Sequence, residues 1–279
     1  MLPVPRRCAA VRALGTACVA AALTAVLVAP AHAAPNSRYP DRFSLRVAGF
    51  FVRDNDVELR IDSQRSGLGT TISANQLLGM PQDDDVLRVD GYFRLASRHR
   101  IDFAWYRVEF EGTRTLQENI RVGDSTFSID ETIESFLRVN TYKLAYSYSF
   151  YRNDKVELGL SLGAHVQDLK VHLDRIGTPE VEDDQLTAPL PVFGFRLDYA
   201  ITPRLTARGR IELFVIEYDR YSGSLTDFEV DLEYRLFRNL GIGIGFNTYQ
   251  LDLQSDGGDL RGMVDYRFYG GLAFATLYL

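Results

Sequence analysis

The chain has 279 residues, of which 46% are hydrophobic and 24% charged, with a formal net charge of −6 and a mean hydropathy of −0.12. That is too polar for a bundle of membrane helices and too apolar for a disordered chain, and the length suits one large domain or two modest ones. Tyr (15) and Phe (17) supply nearly all the aromatic content against one Trp, a composition rich in strand formers.

The N-terminus reads as an export signal. Arg6, Arg7 and Arg12 form a basic start, an apolar run follows from Ala13 to Ala29, and Ala31-His32-Ala33 is a small-x-small cleavage site. This order predicts a Sec-type signal peptide over 1–33 and a mature domain over 34–279. A membrane anchor lacks a stop-transfer pattern, the twin-arginine motif is incomplete around Arg6-Arg7, and Gly15 stands where a lipoprotein signal wants Leu before Cys18. Cys8 and Cys18 leave with the signal, so the mature chain has no thiol chemistry. It keeps 28 basic against 37 acidic side chains, which argues against nucleic acid as a partner.

Beyond the signal the periodicity is two, the mark of strands with two different faces. The first predicted strand, Phe43–Ile61, has Phe43, Leu45, Val47, Phe51, Val57, Leu59 and Ile61 in one phase. Arg53-Asp54-Asn55-Asp56 interrupts it and reads as a turn, which would split the strand and add a short one near Thr70–Ser73. Val86–Ala96 and Ile101–Arg114 flank a tight turn at Ser97–Arg100. Phe136–Phe150 sets Tyr142, Leu144, Tyr146, Tyr148 and Phe150 against Thr141, Lys143, Ala145, Ser147 and Ser149. In Lys155–Leu173 the apolar phase changes between Val166 and Leu169, which predicts a bulge. Leu190–Ala200, Arg204–Arg220, Thr226–Phe237, Leu240–Leu253 and Leu260–Tyr278 complete a count of ten, with eight or twelve as alternatives. In the last strand Val264, Tyr266, Phe268, Leu272 and Phe274 oppose Asp265, Arg267 and Gly271.

Three features point to an all-β, up-and-down transmembrane barrel rather than a soluble sandwich. The predicted strands run to about 12–17 residues, where soluble strands cluster around 5–6. Short connections (Ser97–Arg100, Tyr151–Asp154, Ile201–Arg204, Arg238–Asn239) alternate with longer ones (Ser63–Asp85, Leu116–Glu134, Asp174–Pro189, with Tyr221–Leu225 and Gln254–Asp259 shorter members), as periplasmic turns alternate with outer loops. Finally, one face carries Arg88, Asp90, Arg94, Asp102, Arg196, Asp198, Arg208, Arg210, Glu212, Glu229, Asp231, Glu233, Arg235, Asp265 and Arg267. Such a face does not make a soluble core, but it can line a barrel lumen as salt-bridged ladders.

The chain resembles small bacterial outer-membrane β-barrel proteins, in the broad class of OmpA- and OmpW-type barrels, over essentially all of 34–279. The last strand carries the resemblance most specifically: Phe274, Thr276, Tyr278 and Leu279 resemble the C-terminal signal read by the barrel assembly machinery, departing from it by ending in Leu rather than Phe. Tyr92-Phe93-Arg94 through His99-Arg100-Ile101-Asp102-Phe103-Ala104-Trp105-Tyr106 also resembles a hairpin of such barrels. The resemblance implies residence in the outer membrane, with its lipid and lipopolysaccharide as partners.

Chemistry is harder to find. His99, His165 and His172 are followed two residues on by Ile101, Gln167 and Asp174 rather than by the serine of a His-x-Ser deacylase. Asp83-Asp84-Asp85 and Glu180 with Glu182-Asp183-Asp184 match no calcium loop and read as solvated outer loops; a weaker reading has divalent ions bridging them to lipopolysaccharide phosphates. The expectation is therefore a non-enzymatic barrel without metal or cofactor, its charged lumen filled by side chains, in a structural or surface-interaction role. A narrow solute or ion channel and a lipid A-modifying enzyme are the alternatives.

Overall fold

A strand crossing hydrocarbon has no water to satisfy its backbone, so a two-faced sheet in a membrane has to close. The computed structural model describes residues 42–62, 70–75, 77–81, 83–122, 125–176, 181–218, 221–255 and 262–279, and the expected signal peptide and Glu180 lie outside these. The elements in chain order are β1 (Phe43–Ile61), β2 (Ile72–Ser73), β3 (Asp84–Ala96), β4 (His99–Thr115), β5 (Ile120–Val122), β6 (Ser125–Phe127), β7 (Thr132–Arg152), β8 (Val156–Arg175), β9 (Val181–Ala200), β10 (Leu205–Tyr218), β11 (Tyr221–Arg235), β12 (Leu240–Ser255) and β13 (Gly262–Tyr278). Ten long strands form an antiparallel meander, and β13 returns to pair with β1 from Ser44↔Tyr278 to Ile61↔Gly262, closing the barrel. The short β2 lies on the outer end of β1, and β5 and β6 form a hairpin between β4 and β7.

At the short-turn end the sequence supplies its own hydrogen bonds. Asn153 Oδ1 accepts from the amides of Lys155 and Val156, and Thr202 Oγ1 accepts from those of Arg204 and Leu205. These side chains mimic a backbone turn.

Along the barrel axis the two faces exchange character. Near the short turns the outer face is apolar, as with Tyr142, Leu144, Tyr146, Tyr148 and Phe150 on β7 and Phe193, Phe195, Leu197 and Tyr199 on β9, while the inner face is charged. Roughly nine residues at about 3.4 Å each, tilted by about 40°, give a band of about 23 Å, close to the apolar belt of membrane barrels. Toward the outer end the outward positions become polar, with Arg107, Glu109 and Glu111 on β4 and Arg138 and Glu134 on β7. The interior there is apolar: Val108, Phe110, Ile133, Leu137, Val139, Val171 and Leu173 pack with Leu78, Met80, Leu116, Ile120 and Phe127 from the connections. The lower storey is thus lipid-facing with a charged lumen. The upper storey is built like a water-soluble domain with an apolar core.

This exchange corrects several expectations. Register runs unbroken through Val166 and Leu169, so no bulge lies there; the apolar phase changes because the surroundings of β8 change from lipid to water. Arg53-Asp54-Asn55-Asp56 is not a turn but part of a continuous β1 with a register shift between Arg53 and Asp56, which brings Val57 and Leu59 inside. Asp265 and Arg267 point outward rather than into the lumen, while Tyr266 and Phe268 are buried within, because this stretch of β13 belongs to the upper storey. Most of Asp174–Pro189 is strand rather than loop, and Glu182, Asp183 and Asp184 pair with β8.

Trp105 is the only tryptophan and faces outward one step below Arg107, at the upper edge of the apolar band. Its fluorescence is expected to be quenched more by lipids brominated near the glycerol than by lipids brominated at the chain end. Measuring both in reconstituted vesicles checks the depth of the barrel.

Candidate functional site

The lower lumen brings together side chains from nearly the whole wall. Arg46 on β1 reaches Asp90 on β3 (Nε–Oδ2 2.7 Å), Glu229 (Nη2–Oε1 2.6 Å) and Asp231 (Nη1–Oδ2 2.5 Å), the last two on β11. Arg88 donates to Glu229 (2.5 Å) and Asp90 (3.2 Å), and Arg210 donates to Glu229 at 3.0 Å. One carboxylate, Glu229, therefore takes three guanidiniums. Arg46 and Arg88 reach from β1 and β3 to β11, so these bonds cross the lumen rather than run along its wall.

A second cluster lies toward the short turns. Glu157 on β8 accepts from Arg94 (3.0 Å), Arg196 (3.0 Å) and Ser149 (2.5 Å). Arg196 also holds Asp198, which is 3.4 Å from Arg208; Arg208 donates to Glu233 at 2.9 Å. Glu233 further accepts from Thr276 at 2.7 Å and from the hydroxyl of Tyr278. Arg100 is 2.7 Å from Asp102, and Arg235 lies over the Tyr278 ring at 3.9 Å. Charge-assisted bonds of this density offset the desolvation of each ion, which would otherwise cost several kcal/mol. Inward glycines clear the space: a Cβ at Gly241 would stand 2.7 Å from Glu233 Oε1, and one at Gly159 2.9 Å from Arg196 Nη2.

A third cluster sits where the lumen turns apolar. His165 Nε2 is 2.9 Å from Glu212, Lys143 bonds Asp227 with Glu212 3.9 Å away, and Asn247 donates to Asp227 at 2.7 Å. His165, Glu212 and Asp227 offer three ligating atoms within 4.8 Å of one another, a donor set that a metal ion could use. The Lys143 ammonium, bonded to Asp227 and 3.9 Å from Glu212, already supplies one positive charge to the two carboxylates. Tyr249 stacks on the His165 ring with centroids 6.5 Å apart and accepts from Gln167.

Of the charged residues expected in the lumen, Arg88, Asp90, Arg94, Asp102, Arg196, Asp198, Arg208, Arg210, Glu212, Glu229, Asp231, Glu233 and Arg235 all join these clusters. Asp265 and Arg267 do not; they pair with each other at 2.6 Å on the outer wall, the Arg267 side chain half exposed. Arg46, Arg100, Lys143, Glu157 and Asp227 belong to the network but were absent from the expected set. Their signal was parity alone, since each occupies the inward phase of its strand. Of the C-terminal residues, Phe274, Thr276 and Tyr278 point inward, with Arg46 over the Phe274 ring at 4.7 Å.

No family model matches the chain, and no curated protein matches it in sequence. Among solved structures it is similar to the outer membrane protease OmpT from Escherichia coli, with a TM-score of 0.54 and 10% identity over 86% of this chain and 97% of that one. It also aligns with the transport unit of the autotransporter AIDA-I from Escherichia coli (TM-score 0.43, 8% identity, 95% and 98% covered) and with OprG from Pseudomonas aeruginosa (TM-score 0.37, 10% identity, 87% and 99% covered). The fold is that of an outer-membrane β-barrel, which supports an outer-membrane location.

Removing one charge from the Glu229 hub leaves buried guanidiniums short of a partner. Glu229→Gln is expected to lower stability by about 3–5 kcal/mol. Asp265→Asn, on the outer wall, should change it by no more than about 1 kcal/mol. Urea titration of both variants in lipid vesicles compares them.

Proposed function

We propose that this is a non-conducting outer-membrane barrel in a structural or surface-interaction role, whose upper storey carries that role above the lipid. The observation that supports it best is the pair of seals across the lumen. In the lower storey Arg46 and Arg88 bridge β1 and β3 to β11, and Lys143 bridges β7 to β11. Above them the interior is an apolar core packed under the connecting segments. An ion entering from the short-turn end meets paired charges and then an apolar interior, a high barrier in either direction.

The upper wall is the surface available to partners. Arg107, Arg138 and Lys170 lie just above the apolar band, at the height of anionic headgroups, so lipopolysaccharide phosphates fit there as partners. The C-terminal strand ending at Leu279 fits recognition by the assembly machinery during biogenesis. A non-enzymatic role is supported by the pairings of two histidines: His165 holds Glu212, and His99 holds the Tyr146 hydroxyl at 2.5 Å, where nucleophilic catalysis would want a serine or cysteine.

Planar-bilayer recording tests the reading against the channel alternative. Purified protein is expected to give no stable unit conductance, and a reproducible step would overturn it. Lipid A profiling by mass spectrometry, with and without expression of the chain, addresses the enzyme alternative and should show no difference.

A further inference from the structure

The short-turn end of the barrel repeats one arrangement five times. Arg42, Arg98, Lys155 and Arg204 immediately precede β1, β4, β8 and β10, and Arg238 stands two residues before β12. These are the five long strands that run from the short turns toward the outer end, so each of them starts beside a basic side chain. All five residues are exposed. Asp154 is the one exposed acid among the described residues of this end, although the chain as a whole has 31 basic against 37 acidic side chains. The lumenal acids nearest this end, Glu157, Asp198 and Glu233, are already taken by Arg94, Arg196 and Arg208.

The backbone pins each of the five in the same way. The carbonyls of Arg42, Arg98, Lys155 and Arg204 accept from the amides of Arg94, Ser149, Ala200 and Arg235 on the adjoining strands at 2.7–2.8 Å, and that of Asn239, next to Arg238, accepts from Tyr278 at 2.9 Å. Neighbouring positions are two strands apart, which at about 4.8 Å per strand and a tilt of about 40° spaces them by about 12 Å around the circumference. That is too wide for the five cations to converge on one anion, and it suits a row of separate ones. Exposed apolar residues stand among them: Leu95, Tyr151, Ile201 and Phe237. Arg42 lays its guanidinium over the ring of Phe93, an outward residue of β3, at 5.5 Å. A cation on the outer wall among apolar side chains stands where hydrocarbon gives way to lipid headgroups.

We propose that these five cations bind the phosphates of anionic glycerophospholipids in the leaflet at the short-turn end, and so collect a shell of phosphatidylglycerol- or cardiolipin-type lipid around the barrel there. A zwitterionic headgroup brings its own cation to the phosphate and gains less from the ring; an anionic headgroup brings none. The contact lies at the opposite end from the upper wall, and it holds whether or not the lumen conducts.

The test reads lipid at that end by fluorescence. Trp105→Phe removes the tryptophan at the upper edge of the apolar band, and Phe237→Trp places one beside Arg238. The full chain with these two changes is reconstituted in phosphatidylcholine vesicles that contain a minor share of brominated phosphatidylglycerol or of brominated phosphatidylcholine. At low salt, quenching is expected to show phosphatidylglycerol associating about fivefold more strongly than phosphatidylcholine. Adding R42Q/R98Q/K155Q/R204Q/R238Q should bring the two lipids within about twofold of each other. R204Q/R238Q removes only the charges of two adjoining turns; it should lower the preference to about half and serves if the quintuple variant does not fold. Heat-modifiable migration on a gel verifies folding of each variant. Equal quenching by the two brominated lipids with all five cations in place, or a preference that neither set of substitutions lowers, overturns the ring.

Discussion

In hydrocarbon an unpaired backbone amide or carbonyl costs several kcal/mol, and every strand of this chain has to hand its polar edge to a neighbour through the depth of the bilayer. The 16 pairs that β1 makes with β13, from Ser44↔Tyr278 to Ile61↔Gly262, meet that demand for the two strands that would otherwise be edges. Closure then creates an interior that lipid cannot reach and that ten strands cannot leave empty. Arg46, Arg88 and Glu229 fill it because each long charged side chain can span part of the lumen and find its counter-charge on a distant strand. The charge network follows from closure rather than competing with it.

The second organising fact is that one strand serves two solvents. Along β7 the odd residues run from Ser149, Ser147 and Lys143 to Val139, Leu137 and Ile133, all buried, while the even residues run from Phe150 and Tyr148 to Arg138 and Glu134. Nothing in the backbone marks the change. The polar residues stay inside where lipid is outside and move outside where water is. The His165–Glu212 and Lys143–Asp227 pairs sit at the level where the interior changes from ionic to apolar, and they close the ionic part from above.

This explains which features could be read from the sequence. The Tyr/Phe rows of β7 and β9 and the charges of β11 were legible because lipid-facing apolar residues and lumenal ions alternate there without interruption. Asp265 and Arg267 show the same alternation with the opposite address, and parity alone cannot tell a charge inside a membrane band from a charge outside a water-soluble one. The apparent phase change at Val166–Leu169 has the same origin. Single inward charges such as Arg46, between Ser44 and Ala48, gave no ladder to recognise; only the pairing of β1 with β3 and the approach of β11 reveal their partners. The end of β9–β10 pairing at Phe193↔Leu213 was also hidden, because Pro189 closes the predicted loop Asp174–Pro189 and Pro191 is only the second residue of the predicted strand Leu190–Ala200.

The switch from apolar to polar on the outer face also fixes how the molecule can sit. Sinking by one residue pair along the strands, about 5 Å for a tilted barrel, would carry Arg107, Asn140 and Asp168 into hydrocarbon together. Rising by the same amount would lift Trp105 and its partner Tyr142 out of lipid while drawing the short turns into the bilayer. Arg107 donates to Asn140, and Asn140 to Asp168, so three adjacent strands share a polar line that resists submersion as a unit. Vertical travel is closed to this barrel, and every copy in a membrane of matching thickness presents its upper wall at the same height.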